Sequence, residues 1–277
     1  MTPLPKHRRP LSHASEGSTQ SSRGEIPYTE LAKIYDRVYS WKDYAKEARI
    51  LRSVVRKYGP PRPRRWLDVA CGTGAHLRYL SRTFDCVGLD ESGAMLSVAR
   101  SRVPTARFFR GRMPEFDVGR RFDVVTCLFS AIGYVRTEAA LRATLRTFAR
   151  HLAPGGILLV EPWLTPSAWR PGSVHLWTVP SDEDPIARMN SSKTLRGRSV
   201  MEMHYLVASR GHLRHWRERH DMGLFSVAAT TRAFRAAGMQ VQLIPSGFYA
   251  KPRTDRGLYV AKSIIAHTTG RTGGAAS

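Results

Sequence analysis

The stretch Trp66-Leu67-Asp68-Val69-Ala70-Cys71-Gly72-Thr73-Gly74-Ala75-His76-Leu77 limits what this chain can fold into more than any other. It reads as a short apolar strand, a glycine-bearing turn and the first turn of a helix. About twenty residues on, Val87-Gly88-Leu89 leads to Asp90, an acid at the tip of a second strand. Strand, Gly-x-Gly, helix, strand, acid is the nucleotide-binding half of a doubly wound α/β sheet. The glycines let backbone approach a ligand closely, and the acid can accept both ribose hydroxyls.

The identity of the ligand follows from two further positions. A dinucleotide fingerprint carries a third glycine where this chain has Leu77, and the turn is entered by an acid, Asp68. A carboxylate there repels a pyrophosphate and favours a cationic ligand, such as the aminoacid end of S-adenosylmethionine (SAM). The D-V-A-C-G-T-G string also resembles the SAM-binding signature of class I methyltransferases. The plain alternative is a structural βα turn with no ligand. On the SAM reading the cofactor-binding set is Tyr28 and Tyr35 before the core, Asp68, Ala70, Gly72, Thr73 and Gly74 at the turn, Asp90, Glu91 and Met95 after the second strand, Gly111, Arg112 and Met113 beside the adenine, and Phe129 and Ser130 after the fourth strand.

A chain of 277 residues can bury one good core with an elaboration. Apolar content of 42% and charged content of 24% are those of a globular protein. No apolar run approaches the ~20 residues of a membrane span, and the basic N-terminus lacks the apolar stretch of a signal peptide. Cys71, Cys86 and Cys127 fall in or beside expected buried strands, without a C-x-x-C, and read as reduced thiols of a cytoplasmic protein. The net charge of +22 raises nucleic acid as a partner. Yet the 44 basic residues are spread along the chain with no run of five or six, so an anionic small substrate is the better reading. No metal is called for.

Along the chain, residues 1–24 are rich in Ser, Pro, Gly, Arg and His and read as a disordered basic tail, as do 267–277. Residues 25–164 read as two amphipathic helices followed by the SAM-binding core, whose last part is a helix from Thr137 to His151, a stop at Pro154-Gly155-Gly156 and a fifth strand from Ile157. The early Tyr28, Tyr35 and Tyr39 can pack helices or form an aromatic lid, since aromatic faces attract a sulfonium or ammonium. The run Phe122–Phe129 is nearly continuous in apolar residues, as a central strand covered on both faces should be. Between 165 and 223 the pattern changes to short alternating runs, Val174–Val179, Arg198–Val207 and His212–Met222. These predict antiparallel strands inserted as a roof on the substrate side. Residues 224–266 complete the core sheet. The fold class is therefore α/β, a Rossmann-like seven-stranded class I SAM methyltransferase sheet with a small antiparallel sheet inserted over the active site.

Several strings together resemble one family. Tyr35-Asp36, Lys42-Asp43-Tyr44 with Glu47-Ala48, D-V-A-C-G-T-G, F-D-V-V-T-C-L-F-S-A-I-G from Phe122, L-A-P-G-G-I-L-L-V-E-P-W from Leu152, Met203-His204-Tyr205-Leu206-Val207, Leu224-Phe225 and Arg256-Gly257-Leu258 are similar to those of the aminosugar N,N-dimethyltransferases of macrolide antibiotic biosynthesis (desosamine/mycaminose type). The resemblance implies SAM-dependent N-methylation of a small amine, a dTDP-linked aminodeoxysugar. Three departures stand out: Arg112 replaces an acid beside the adenine, Tyr134 replaces a substrate-facing histidine, and 248–255 replaces a glycine-rich segment. They leave open a different antibiotic-intermediate amine, and the charge leaves open an RNA methyltransferase or a nucleic-acid-binding protein with a SAM fold. Candidate catalytic residues are Tyr134, His204 and Glu161. Tyr39, Ile132, Trp163, Arg253 and Arg256 are candidates for the substrate, the two arginines for a diphosphate. A homodimer is a further possibility within this family.

Overall fold

The computed structural model describes residues 28–209, 211–248 and 257–264. In chain order the elements are α1 (Tyr28–Val38), α2 (Tyr44–Tyr58), β1 (Arg65–Val69), α3 (Leu77–Leu80), β2 (Asp85–Asp90), α4 (Gly93–Arg102), β3 (Arg107–Arg110) and β4 (Phe122–Cys127). A 3-10 helix (Ala131–Val135), α5 (Glu138–Arg150) and β5 (Leu152–Val160) follow. Next come β6 (Val174–Val179), β7 (Ile186–Leu195), β8 (Arg198–Ser209), β9 (His212–Gly223), α6 (Val227–Ala236), β10 (Met239–Ile244) and β11 (Leu258–Ser263).

Seven strands form one sheet in the order β10-β11-β5-β4-β1-β2-β3, and β6-β7-β8-β9 form a second, antiparallel sheet. From β1 the chain winds one way through β2 and β3, then returns to place β4 on the other side of β1. The crevice beyond the carboxyl ends of β1 and β4 is thus the switch point where ligands bind in open α/β sheets. One face of the large sheet packs Leu67, Val69, Val125 and Val160 against Leu141, Leu145 and Phe148 of α5 and Phe234 of α6. The other packs Trp66, Val124 and Leu159 against Leu51 and Val55 of α2 and Leu77, Leu80 and Leu96. Burial on both faces explains why β4 reads as an unbroken apolar run.

Ser92, Thr137 and Ser226 cap α4, α5 and α6 through their side-chain oxygens, so local capping agrees with the global fold. Two boundaries differ from expectation. Pro154-Gly155-Gly156 does not stand outside the sheet: β5 begins at Leu152, and the register against β4 shifts between Phe122 and Val124. A bulge absorbs the proline and glycines. The helix after Gly74 is only Leu77–Leu80.

The second sheet lies over α1. Ile186, Met203, Tyr205 and Val207 on its inner face pack with Ala32, Ile34 and Val38 of α1 and with Met95 of α4. Strand β7, which the alternating runs left out, completes it. The outer face carries the exposed Leu176, Met189, Leu206 and Leu213. Among the described residues no helix is long and apolar enough to cross a membrane.

Candidate functional site

The turn after β1 concentrates left-handed backbone: Ala70, Gly72 and Gly74 have φ of 57°, 54° and 72°. A Cβ on Gly72 would meet nothing within 4 Å, whereas one on Gly74 would lie 3.2 Å from the Ala99 side chain. Gly74 is therefore required by helix packing, and Gly72 borders open space into which a ligand can approach the backbone. Asp90 binds both sides of this space, accepting from Gly72 N (2.8 Å) and Ser92 N (2.9 Å). Each carboxylate oxygen keeps acceptor capacity for a hydroxyl. Gly111 N donates to the Asp90 carbonyl at 3.0 Å, which brings the loop after β3 to the same edge.

Asp68 is buried and accepts from Thr126 Oγ1 at 2.7 Å, and Thr126 in turn accepts from Trp66 Nε1. Burial raises the Asp68 carboxyl from 3.8 to about 6. Such a site gains most from a cation brought near it. Helix α1 is tied to the turn from above: Asp36 accepts from Thr73 Oγ1 (2.8 Å) and pairs with Arg102, which also donates to the Thr73 carbonyl at 3.0 Å.

At the end of β4, Phe129 and Ser130 both take positive φ, 51° and 61°. Glu161, buried at the tip of β5, accepts from Phe129 N at 2.6 Å, and Ser130 Oγ donates to the Pro162 carbonyl at 2.9 Å. The Phe129 ring meets Tyr39 edge-on at 5.1 Å, and Lys42 Nζ lies 4.5 Å from its centroid. Lys42 pairs with Glu47, whose Oε2 is 2.7 Å from His76 Nε2. Tyr35 packs on Tyr39 at 4.6 Å. Burial keeps both phenols protonated, raising Tyr39 to about 12 and Tyr35 likewise upward.

The roof supplies the other wall. Arg188 of β7 lies over the Tyr39 ring at 5.5 Å. Glu218 of β9 accepts from Tyr205 Oη at 3.0 Å, and His220 Nδ1 is 2.6 Å from Tyr134 Oη. Trp163 fastens this wall to the core by donating its indole N–H to Ser199 Oγ at 2.8 Å.

A family model described as a methyltransferase domain matches residues 67–156. A dTDP-3-amino-3,6-dideoxy-alpha-D-glucopyranose N,N-dimethyltransferase of Streptomyces fradiae is 43% identical, the match covering 85% of this chain and 92% of the relative. The crystal structure of Streptomyces venezuelae DesVI superposes with a TM-score of 0.77 at 36% identity, covering 87% of this chain and all of that one. SAM-bound CalS10, an amino pentose methyltransferase from Micromonospora echinaspora, gives 0.73 at 33% identity, covering 86% and 98%. The chain belongs to the aminosugar N,N-dimethyltransferases. It is a SAM-dependent N-methyltransferase, and the open glycine turn flanked by Asp68 and Asp90 fits that cofactor.

The methyltransferase brings most of the sequence candidates to the switch point: Asp68, Ala70, Gly72, Thr73, Gly74 and Asp90 at one end, Tyr35, Tyr39, Phe129, Ser130, Tyr134 and Glu161 at the other. Glu91 is exposed beside them, and its carbonyl accepts from Arg110 Nε. Arg112 is exposed and bridges to Glu115, while Met113 turns inward to within 4.0 Å of the Cys127 sulfur. Met95 is a packing residue between α4 and α1.

One expectation needs correction. His204 does not face the site: alternation along β8 points Met203 and Tyr205 inward, so His204 lies on the outer face, stacked on His215 with Nδ1 2.9 Å from Nε2. Ile132 is buried and lines a small cavity with Leu141, Val160 and Trp163. Trp163 lines the same cavity while its indole N–H is held by Ser199. The Tyr28 side chain, Arg253 and Arg256 lie outside the described residues, as does most of 248–255.

Arg188, Glu218 and His220 were not singled out from sequence. Their signal was present in the alternating run: Trp216, Glu218, His220 and Met222 share one face of β9, with Arg217 and Arg219 on the other.

Proposed function

We propose that this enzyme methylates the amino group of a nucleotide-linked aminodeoxysugar. The observation that supports this most is the roof: its inner face sets Arg188 over Tyr39 and His220 against Tyr134, which suits a small acceptor better than a track for a polymer. When bound, SAM supplies an electrophilic methyl group, and the amine lone pair forms the new N–C bond as the C–S bond breaks. The chain's part is mostly to hold the acceptor in line, which alone can supply several kcal/mol of the barrier. Tyr39 and Phe129 offer aromatic surface to a cationic centre. Arg188 Nε is buried and has no hydrogen-bond partner among the described residues, which makes it a candidate for an anionic part of the acceptor, alongside Arg253 and Arg256.

The test is methyl transfer from labelled SAM to a panel of dTDP-3-aminosugars, free aminoglycosidic metabolites and total RNA. Label on the nucleotide sugars is the expected result. Label only in the free metabolites or in RNA would overturn the acceptor reading.

Asp68 gives the cofactor site a pH dependence. Its carboxyl titrates near 6 in the folded protein, above its usual 3.8, because it is buried. The sign is that of a raised carboxylate: its contribution to stability is present below the ordinary value and is lost as pH rises through about 6. A cationic ligand end has the opposite preference and binds the ionised form. SAM affinity should therefore be flat above pH 6 and fall by up to about tenfold per unit below it, with a proton released on binding. Calorimetry in buffers of different ionisation heat measures both, and Asp68→Asn should remove the dependence. An affinity unchanged from pH 7 to 5 would show that Asp68 does not face the ligand's cation.

A further inference from the structure

We infer that His220, acting through Tyr134, takes up the proton that the acceptor amine must lose, and that the Glu218 carboxylate beside it stabilises the imidazolium that results. The inference rests on the reading of the acceptor as an amine and concerns how that amine is made nucleophilic.

An amine near neutral pH carries a proton and has no lone pair to give. Neither Asp68 nor Asp90, whose oxygens bind Thr126 and the Gly72 and Ser92 amides, is at the acceptor end of the site. At that end the structure places a connected line of three polar side chains. Tyr134 belongs to the 3-10 helix that follows the Phe129-Ser130 turn, and its ring is 45% exposed. Its Oη is 2.6 Å from His220 Nδ1. The other imidazole nitrogen, Nε2, is buried 3.1 Å from Glu218 Oε2 without the alignment of a hydrogen bond, so Glu218 acts on it through charge, and the His220 and Glu218 side chains are only 12% and 17% exposed. Glu218 is itself held by the Tyr205 hydroxyl at 3.0 Å. One end of the line is open to an acceptor and the other is nearly dry.

The tautomer follows from the inventory of donors. The Tyr134 hydroxyl donates to the lone pair of Nδ1, which leaves the imidazole hydrogen on Nε2, in the negative field of the Glu218 carboxylate. His220 and Glu218 are two apart on β9 and so share its inner face. The strand is fixed against the 3-10 helix: a Cβ on Gly133 would lie 2.7 Å from the Met222 methyl, and Ser199 Oγ donates to the Met222 carbonyl at 3.2 Å. The other titratable or charged groups facing this line are Arg188 from β7, Tyr205 from β8, and Tyr35 and Tyr39 from α1.

The step balances without an added reactant. The ammonium N–H breaks and its proton goes to Tyr134 Oη as the Tyr134 O–H breaks and its proton goes to His220 Nδ1. The positive charge moves from the acceptor nitrogen to the imidazolium beside Glu218, and the nitrogen keeps its lone pair. The proton later returns through Tyr134 to water. Tyr134 is the group that meets the acceptor, while His220 and Glu218 are positioning and proton-holding residues behind it.

The test compares wild type with Tyr134→Phe and His220→Gln from pH 6 to 10, with dTDP-3-amino-3,6-dideoxyglucose as acceptor. A positioned base is worth at least about 10²-fold, so kcat/KM should drop by roughly that factor at pH 7 in both variants. The deficit should shrink to a few-fold at pH 10, where the amine has already lost its proton, with the SAM Kd unchanged throughout. A deficit equal at all pH values, or none at pH 7, would overturn the inference. Tyr134→Phe changes an exposed side chain, so its result stands even if His220→Gln does not fold. Should wild type not methylate this sugar, the acceptor reading fails, and the relay is read without acceptor from the imidazole nitrogen resonances. His220 in the Nε2–H form at pH 7, with Nδ1 shifted in Tyr134→Phe, supports it. An Nδ1–H form, or no response to Tyr134→Phe, overturns it.

Discussion

Gly72→Val should leave a folded protein that binds no SAM. At φ +54° a β-branched residue is strained by about 1–2 kcal/mol, a cost a domain of this size survives. The valine side chain enters space in which a Cβ meets no protein atom within 4 Å, so no packing in the core opposes it. What it fills is the surface that the cofactor needs. The adjoining Gly74 predicts the reverse assortment, because a side chain there strikes Ala99 of α4 and the cost falls on stability. Asp90→Ala should be graded between the two. It deletes the carboxylate expected to accept from the ribose hydroxyls, at about 1.5–3 kcal/mol for a charged hydrogen bond or roughly 10- to 100-fold in affinity, and loss of the Gly72 and Ser92 amide contacts adds a cost in stability. Isothermal titration with SAM, paired with a thermal melt to show that Gly72→Val is folded, makes the comparison. Wild-type affinity in both Gly72→Val and Asp90→Ala would remove the cofactor site from this turn.

The parts of the molecule legible in the sequence are those in which one local rule decides. The β1 turn and Asp90 could be read because close backbone approach requires glycine and the position of the acid is set by the βαβ geometry. Strand β4 could be read because both its faces are apolar. Strand β7 escaped because two of its buried positions are Asn190 and Ser192, so a half-buried strand carries no hydrophobic alternation there. His204 misled for a related reason. Residue type alone marks a histidine as a candidate base, and only the phase of the strand, with Met203 and Tyr205 buried, decides which face it occupies. The same phase rule, applied to β9, selects Glu218 and His220. The pairing of His220 with Tyr134 joins residues 86 apart in the chain, and no local pattern encodes that. Tyr134 itself, legible as a departure from its family, gains its meaning only from the histidine that the roof brings to it.

Glu161→Ala should cost more activity than a residue without a titration role would suggest, because its carboxylate sets the backbone at the reacting end. Phe129 and Ser130 are non-glycine residues at positive φ, a conformation that costs of order 1–3 kcal/mol each and persists only where the surroundings impose it. Three contacts impose it here: Glu161 accepts the Phe129 N–H at 2.6 Å, Tyr39 abuts the ring at 5.1 Å and Lys42 covers it at 4.5 Å. Burial raises the Glu161 carboxyl above its usual value, while Lys42 and the Phe129 amide act against that rise. Removing the side chain deletes a charged hydrogen bond and frees the strained turn, at about 2–4 kcal/mol, or roughly 5–10 °C in Tm. A displacement of the turn by an ångström would lower kcat by about 10²-fold, with a smaller loss of SAM affinity because Phe129 and Ser130 move while Gly72 and Asp90 are untouched. Glu161→Gln, whose amide oxygen can still accept from Phe129 N, should recover most of both losses. If Gln is as damaged as Ala, charge rather than the hydrogen bond is what matters at this position. If Ala is as active as wild type, the turn is held by the aromatic contacts alone, and Tyr39→Ala becomes the variant in which kcat should fall.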